Sequence, residues 1–139
     1  MSQPMTKDEL QGLLDGSPFT KFLGVQVTEA DPDQGRVELR MDSRLEIQRI
    51  DGSPQIHGGP LAALIDTAGD LAVAQAVGGA VPTIDMKVDY LRPVMGDYVL
   101  ARAHARRVGR TVGVADVEIV DAEERLCAIG RAVYAARIG

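Results

Sequence analysis

His57-Gly58-Gly59-Pro60-Leu61-Ala62-Ala63-Leu64-Ile65-Asp66-Thr67-Ala68-Gly69-Asp70-Leu71-Ala72-Val73-Ala74-Gln75-Ala76-Val77 contains the longest apolar stretch of the chain, Leu61–Val77. From about Pro60 to Val77 the pattern is helical, and Leu61, Leu64, Ile65, Ala68, Leu71, Ala72, Val73 and Ala76 surround nearly the whole circumference. A helix that is apolar all round is a buried one. Asp66, Asp70 and Gln75 interrupt the run, and a mid-helix carboxylate costs ~3 kcal/mol in a bilayer. The stretch therefore predicts a soluble core helix rather than a membrane span.

Working outward, Val25–Asp31 and Arg36–Asp42 alternate apolar and polar residues around the turn-forming Asp31-Pro32-Asp33-Gln34-Gly35, which predicts a hairpin. Thr6–Leu14 reads as a short amphipathic helix, a second turn follows at Phe19–Leu23, and Ser43–Ile56 is an aperiodic loop. After Gly78-Gly79 come four strand-like runs, Thr83–Leu91, Tyr98–Val108, Thr111–Asp121 and Glu124–Arg137, expected to meander. In Thr83–Leu91, Ile84, Met86, Val88 and Tyr90 alternate with Thr83, Asp85, Lys87 and Asp89. Ala101, Ala103 and Ala105, like Ala128, Gly130 and Ala132, make faces small enough for a helix to lie close. The expected architecture is α+β, an antiparallel sheet wrapped around one long helix, with the other sheet face left for a partner subunit.

The 139 residues allow one domain, 1–139, with residues 1–23 as an N-terminal helical segment. The 4% aromatics, the absence of Trp and the 15 glycines agree with a core closed around small side chains. A net charge of −5 speaks against a nucleic-acid partner, and any anionic ligand would need a local basic patch. The single Cys127 excludes an internal disulfide and a multi-thiolate metal site and fits a reducing compartment. Met1–Leu10 is polar and lacks the pattern of a signal peptide, so a cytoplasmic location is expected.

Two features can carry chemistry. Gly58 and Gly59 open a helix, where free backbone N–H groups and the positive end of the dipole suit an anion or a polarised carbonyl; the same pair also serves as ordinary turn punctuation. Asp66 lies two turns into the apolar helix, and a carboxylate kept there signals a functional site or a satisfied polar network. Asp70, one turn on, would raise the pKa of one of the two by repulsion, or else lie in a solvated strip.

The run from His57 to Asp66 resembles the His-Gly-Gly helix signature of hotdog-fold acyl-CoA thioesterases, of the phenylacetate-degradation (PaaI-like) and thioesterase-superfamily-member-2 type. The strand Thr83-Ile84-Asp85-Met86-Lys87-Val88-Asp89-Tyr90-Leu91-Arg92-Pro93 and the turn Val108-Gly109-Arg110-Thr111 extend the resemblance. It implies a hotdog fold and hydrolysis of acyl-CoA thioesters. The Gly58 N–H would be the oxyanion donor, Asp66 the general base or nucleophile, Thr83 of a second subunit the water-orienting hydroxyl, and His57 a support for the loop. Coenzyme A would enter as part of the substrate, with no cofactor or metal. The assembly implied is a homodimer or homotetramer with sites at the subunit interface.

Gly59 and the loop residue Asp51 join the expected substrate-binding set; relatives carry Asn at the place of Asp51, so Gln55 or Gln48 is the alternative amide. Arg102, Arg106, Arg107 and Arg110 lie close in sequence beside Gly109, and guanidinium forks suit phosphate. Of these, Arg106, Arg107, Gly109 and Arg110 are the expected coenzyme A contacts. Leu10, Leu13, Leu14, Phe19 and Phe22 are candidates to line an acyl pocket. The competing readings are an acyl-thioester hydratase or dehydratase on the same fold, and a non-catalytic acyl-CoA-binding domain.

Overall fold

A computed structural model describes residues 3–139; Met1 and Ser2, at the start of the expected N-terminal helical segment, lie outside the described residues. The elements are α1 (Lys7–Asp15), α2 (Pro18–Leu23), β1 (Gln26–Asp31), β2 (Arg36–Asp42), a 3-10 turn at Leu45–Ile47, α3 (Gly58–Val77), β3 (Thr83–Tyr90), β4 (Tyr98–Val108), β5 (Val112–Asp121) and β6 (Leu126–Ala135). Each helix begins where its sequence supplies a cap. Thr6 and Glu9 form a reciprocal capping box on α1, Ser17 and Pro18 start α2, and the His57 side chain caps α3. Gly78, at φ +105°, ends α3 in the left-handed conformation that side-chain-bearing residues avoid.

The six strands form one antiparallel sheet in the order β1-β2-β4-β5-β6-β3, and α3 packs across β2 to β6. Shifts of register in β1, β3, β4 and β6 mark bulges, which bend and twist a sheet as wrapping a helix requires. The expected four-strand meander is corrected in one respect. β4, β5 and β6 do follow one another, but β3 lies at the far edge beside β6, and β4 pairs with β2. Burial agrees with the exchange. Val99, Ala101 and Ala103 of β4 are buried, as a central strand under the helix requires, whereas no residue of β3 is fully buried, which suits an edge.

Small residues set the helix-to-sheet distance. A Cβ on Gly130 would stand 2.6 Å from Ile65 Cγ2, and one on Gly113 would stand 2.8 Å from Val73 Cγ1. α3 is long and apolar enough on composition to cross a membrane, yet here it is the core helix, with Leu64, Ile65, Ala68, Val73 and Ala74 fully buried. The N-terminal segment divides. Leu10 and Leu14 join this core, while Phe19 and Phe22 are more than half exposed, so the five residues do not line one pocket.

Candidate active site

At the start of α3 the backbone is tied down on both sides of Gly58. Ile56 N–H donates to Val94 O (3.0 Å) and His57 N–H to Ile47 O (2.8 Å). Gly59 N–H donates to His57 Nδ1 (2.8 Å), which occupies the donor that was expected to bind substrate. Pro60 has no N–H. The Gly58 N–H therefore remains the one first-turn donor upstream of Leu61 that has no partner among the described residues, and it sits at the positive end of a 20-residue helix. Beside it opens a cleft of about 500 Å³, walled by Gln55, His57, Tyr90 and Pro93 and flanked by Arg49 and Arg92.

Eight residues further on, Asp66 is half-buried, and its Oδ1 accepts the Thr83 hydroxyl at 2.7 Å. The expectation that Thr83 reaches in from a second subunit is corrected here: Thr83 bonds the carboxylate of its own chain. The connection explains how. Asp70 Oδ1 accepts Val81 N–H at 3.1 Å, which pins the loop after α3 against the helix two residues before Thr83. Burial raises the Asp70 carboxyl to about 6, with the Val81 hydrogen bond opposing and the Asp66 charge adding. Asp70 is thus a part-buried loop anchor, and the solvated strip considered for it is not what the structure shows. Tyr134, fully buried, donates its hydroxyl to the Asp66 carbonyl at 2.7 Å, so backbone and carboxylate of Asp66 are both held.

Within one chain the two halves do not meet. At 1.5 Å rise per residue, Gly58 and Asp66 lie about 12 Å apart along the axis. A donor and a base acting on one carbonyl each need to be within ~3 Å of the reacting atoms.

The remaining expected site residues separate. Asp51 is exposed in a turn and does not line the cleft, whereas Gln55 does. Gly109, Arg107 and Arg110 lie at the β4–β5 tip, where Gly109 N–H donates to Val112 O (2.8 Å); neighbouring Gly113 meets Val73, which lies about 22 Å along the α3 axis from Gly58 and about 10 Å along it from Asp66. Arg106 is turned away. Its Nε bonds Asp116 Oδ2 at 2.8 Å on the sheet face opposite α3, inside a second cleft of about 520 Å³ whose Arg102, Arg106 and Arg131 are already paired with carboxylates. Cys127 is buried, its thiol is pushed up by burial, and it is a core residue. Sequence reading missed Tyr90, Arg49, Arg92 and Tyr134 as site residues. Tyr90 alone carried a signal, as the one apolar-face residue of its strand with a polar tip.

One antiparallel sheet wrapped around a single central helix is the hotdog architecture. The thioesterase superfamily pattern matches residues 55–128. A provisionally named esterase of Halobacterium salinarum is 40% identical over 135 residues, covering 90% of this chain and 88% of the relative. The acyl-coenzyme A thioesterase PaaI of Escherichia coli is 32% identical over 112 residues, 80% and 76% of the two chains. Among solved structures, the thioesterase HI1161 of Haemophilus influenzae superimposes with a TM-score of 0.83 at 27% identity, over 96% of this chain and 91% of that one. The chain belongs to the thioesterase superfamily.

Proposed function

We propose that this protein hydrolyses acyl-coenzyme A thioesters to the free acid and coenzyme A, in sites that two copies of the chain build together. The observation that carries the reading is the N–H of Gly58, without a partner among the described residues, at the mouth of a cleft, in a helix that also carries Asp66 with Thr83 bonded to it. The N–H receives the carbonyl oxygen as it gains charge. Thr83 holds Asp66 Oδ1, which leaves Oδ2 to take a proton from an attacking water. The tetrahedral intermediate then expels the coenzyme A thiolate, which takes up that proton. Attack by Oδ2 itself, through an anhydride, is the alternative route.

The 12 Å separation is what calls for the second copy: Gly58 of one chain meets Asp66 and Thr83 of the other. β3 is the natural seam. It is an edge strand with one side unpaired, and both Thr83 and the exposed Ile84 and Tyr90 lie on it. Pairing β3 with its symmetry mate sets the two α3 helices antiparallel, which brings the start of one towards the middle of the other. The open outer sheet face offers a surface on which two dimers can form a tetramer. Arg107 and Arg110, at the β4–β5 tip, and Arg49 and Arg92, at the cleft, are the cations we assign to the coenzyme A phosphates. Cys127 as the sole, buried thiol fits a cytoplasmic setting. The hydratase reading loses support because His57 Nδ1 is already taken by Gly59 N–H.

The test is release of free thiol from a panel of aromatic and straight-chain acyl-CoAs by wild type and Asp66→Asn. The expected loss in the variant is ~10²–10⁴-fold. Equal rates would remove Asp66 from the chemistry, and no release from any thioester would overturn the hydrolase reading.

A further inference from the structure

Tyr90 ends β3 on its apolar face, yet more than half of it is exposed and its hydroxyl is hydrogen-bonded. It donates to the Gly58 carbonyl at 2.7 Å. Its ring lies close enough to Gly58 that a Cβ there would stand 3.2 Å from Tyr90 Cζ and 3.3 Å from Cε1. The carbonyl it grips belongs to the Gly58–Gly59 peptide, whose N–H is held by His57 Nδ1 at 2.8 Å. One peptide unit is therefore clamped at both ends by side chains. The peptide before it is limited upstream by the His57 N–H bond to Ile47 O. Between these anchors lies one group without a partner, the Gly58 N–H. Two adjacent glycines have no side chains to restrict their torsions, and a donor mounted on them would otherwise sample many directions. Pre-aiming such a donor is what makes it effective on a developing oxyanion.

We infer that Tyr90 is a positioning residue: its hydroxyl and ring hold the Gly58–Gly59 peptide so that the Gly58 N–H points into the cleft. This deepens the thioesterase reading and rests on it for the kinetic consequence, but the clamp itself is a property of the folded chain. It also ties the site to the seam between copies. β3 delivers Thr83 at one end to the carboxylate and Tyr90 at the other to the donor, so one strand supports both halves.

The experiment uses Tyr90→Phe, which keeps the ring and removes the hydroxyl, with Tyr90→Leu as the variant that removes both. Amide exchange is followed by NMR alongside steady-state thioester hydrolysis, and Asp66→Asn is measured in parallel. The expected result for Tyr90→Phe is a rise of about tenfold in exchange at Gly59 N–H with Leu64 to Ala68 unchanged, and a kcat about tenfold lower with KM within a factor of two. Tyr90→Leu should lower kcat further. Unchanged Gly59 exchange, or a loss confined to KM, overturns the inference. If Asp66→Asn is inactive while Tyr90→Phe has wild-type kcat, the inference alone fails. If wild type hydrolyses none of the thioesters, the hydrolase reading fails, and the exchange data still decide the clamp.

Discussion

Mixing two inactive variants tests whether Gly58 and Asp66 serve one site from two chains. The first variant is Asp66→Asn, which removes the base. The second is Gly58→Pro, which removes the one free N–H at the helix start. Proline is well placed there. It is tolerated at the first helical position, where no intrahelical bond is lost, and the preceding His57, at φ −61° and ψ 145°, is already in the extended region that proline demands of its neighbour. The added ring atoms press on Tyr90, 3.2 Å from the Cβ position, so a slight shift of that side chain is expected. Loss of one oxyanion donor costs ~10²–10³ in kcat, and loss of the base a comparable factor or more. Each protein alone is then close to inactive. Co-expressed in equal amounts with two different affinity tags, half of the dimers are mixed, and each mixed dimer joins the intact Gly58 of one chain to the intact Asp66 of the other in one of its two sites. About a quarter of wild-type activity returns for the whole population, and about half for the doubly purified mixed dimer. A site contained in one chain predicts no recovery, since every chain then carries a lesion. Mixed dimers that are isolated intact and remain below a few per cent of wild type would refute the 12 Å argument.

Thr83→Val, which keeps the shape and removes the hydroxyl bonded to Asp66 Oδ1, is expected to lower kcat about tenfold, while Thr83→Ser stays near wild type; equal activity of Val and Ser variants in the thiol-release assay would show that the bond has no catalytic role. Asp70 titrates near 6 in the fold against an ordinary 3.8, so the native state holds its proton more tightly than the unfolded one. The protein therefore loses stability as pH rises from about 4 through 6, by up to about 3 kcal/mol from this group. Asp70→Asn should accordingly raise the urea midpoint at pH 8 and leave it nearly unchanged at pH 4, and an equal shift at both values would disprove the cause. Gly130→Ala puts a methyl group 2.6 Å from Ile65 Cγ2 and 3.1 Å from the Lys87 carbonyl, and should cost ~1–3 kcal/mol in chemical denaturation; a neutral result would mean that the sheet can move off the helix freely.

Much of the fold was legible because its signals are local. The all-round apolar run of α3, the clean breaks at Gly78-Gly79, Gly109-Arg110 and Asp121-Ala122-Glu123, and the small-residue faces of β4 and β6 depend on residues close in sequence, and the elements fall within a few residues of where those signals place them. The position of β3 was not legible in the same way. Alternation says that a segment is a strand, but its neighbour in the sheet is chosen by which strands best fill the space over the helix. The site divides along the same line. Gly58 and Asp66 stood out by residue type against their surroundings, whereas Tyr90 acts through a contact 32 residues away in sequence, and Arg106 was drawn to Asp116 by pairing on the outer face.

By itself the sequence determined that one buried helix would carry a glycine-opened N-terminus and a carboxylate two turns on, because helical spacing and the cost of burying charge act on neighbours along the chain. Only the tertiary structure decided which groups are free to react. Packing assigned Gly59 N–H to His57 and Thr83 to the Asp66 of its own chain, and it left the Gly58 N–H without a partner. Hydrogen-bond donors and acceptors are satisfied by whatever the fold brings within about 3 Å, regardless of distance along the chain. The same helix that displays both reacting groups, rising 1.5 Å per residue, holds them too far apart to meet on one chain.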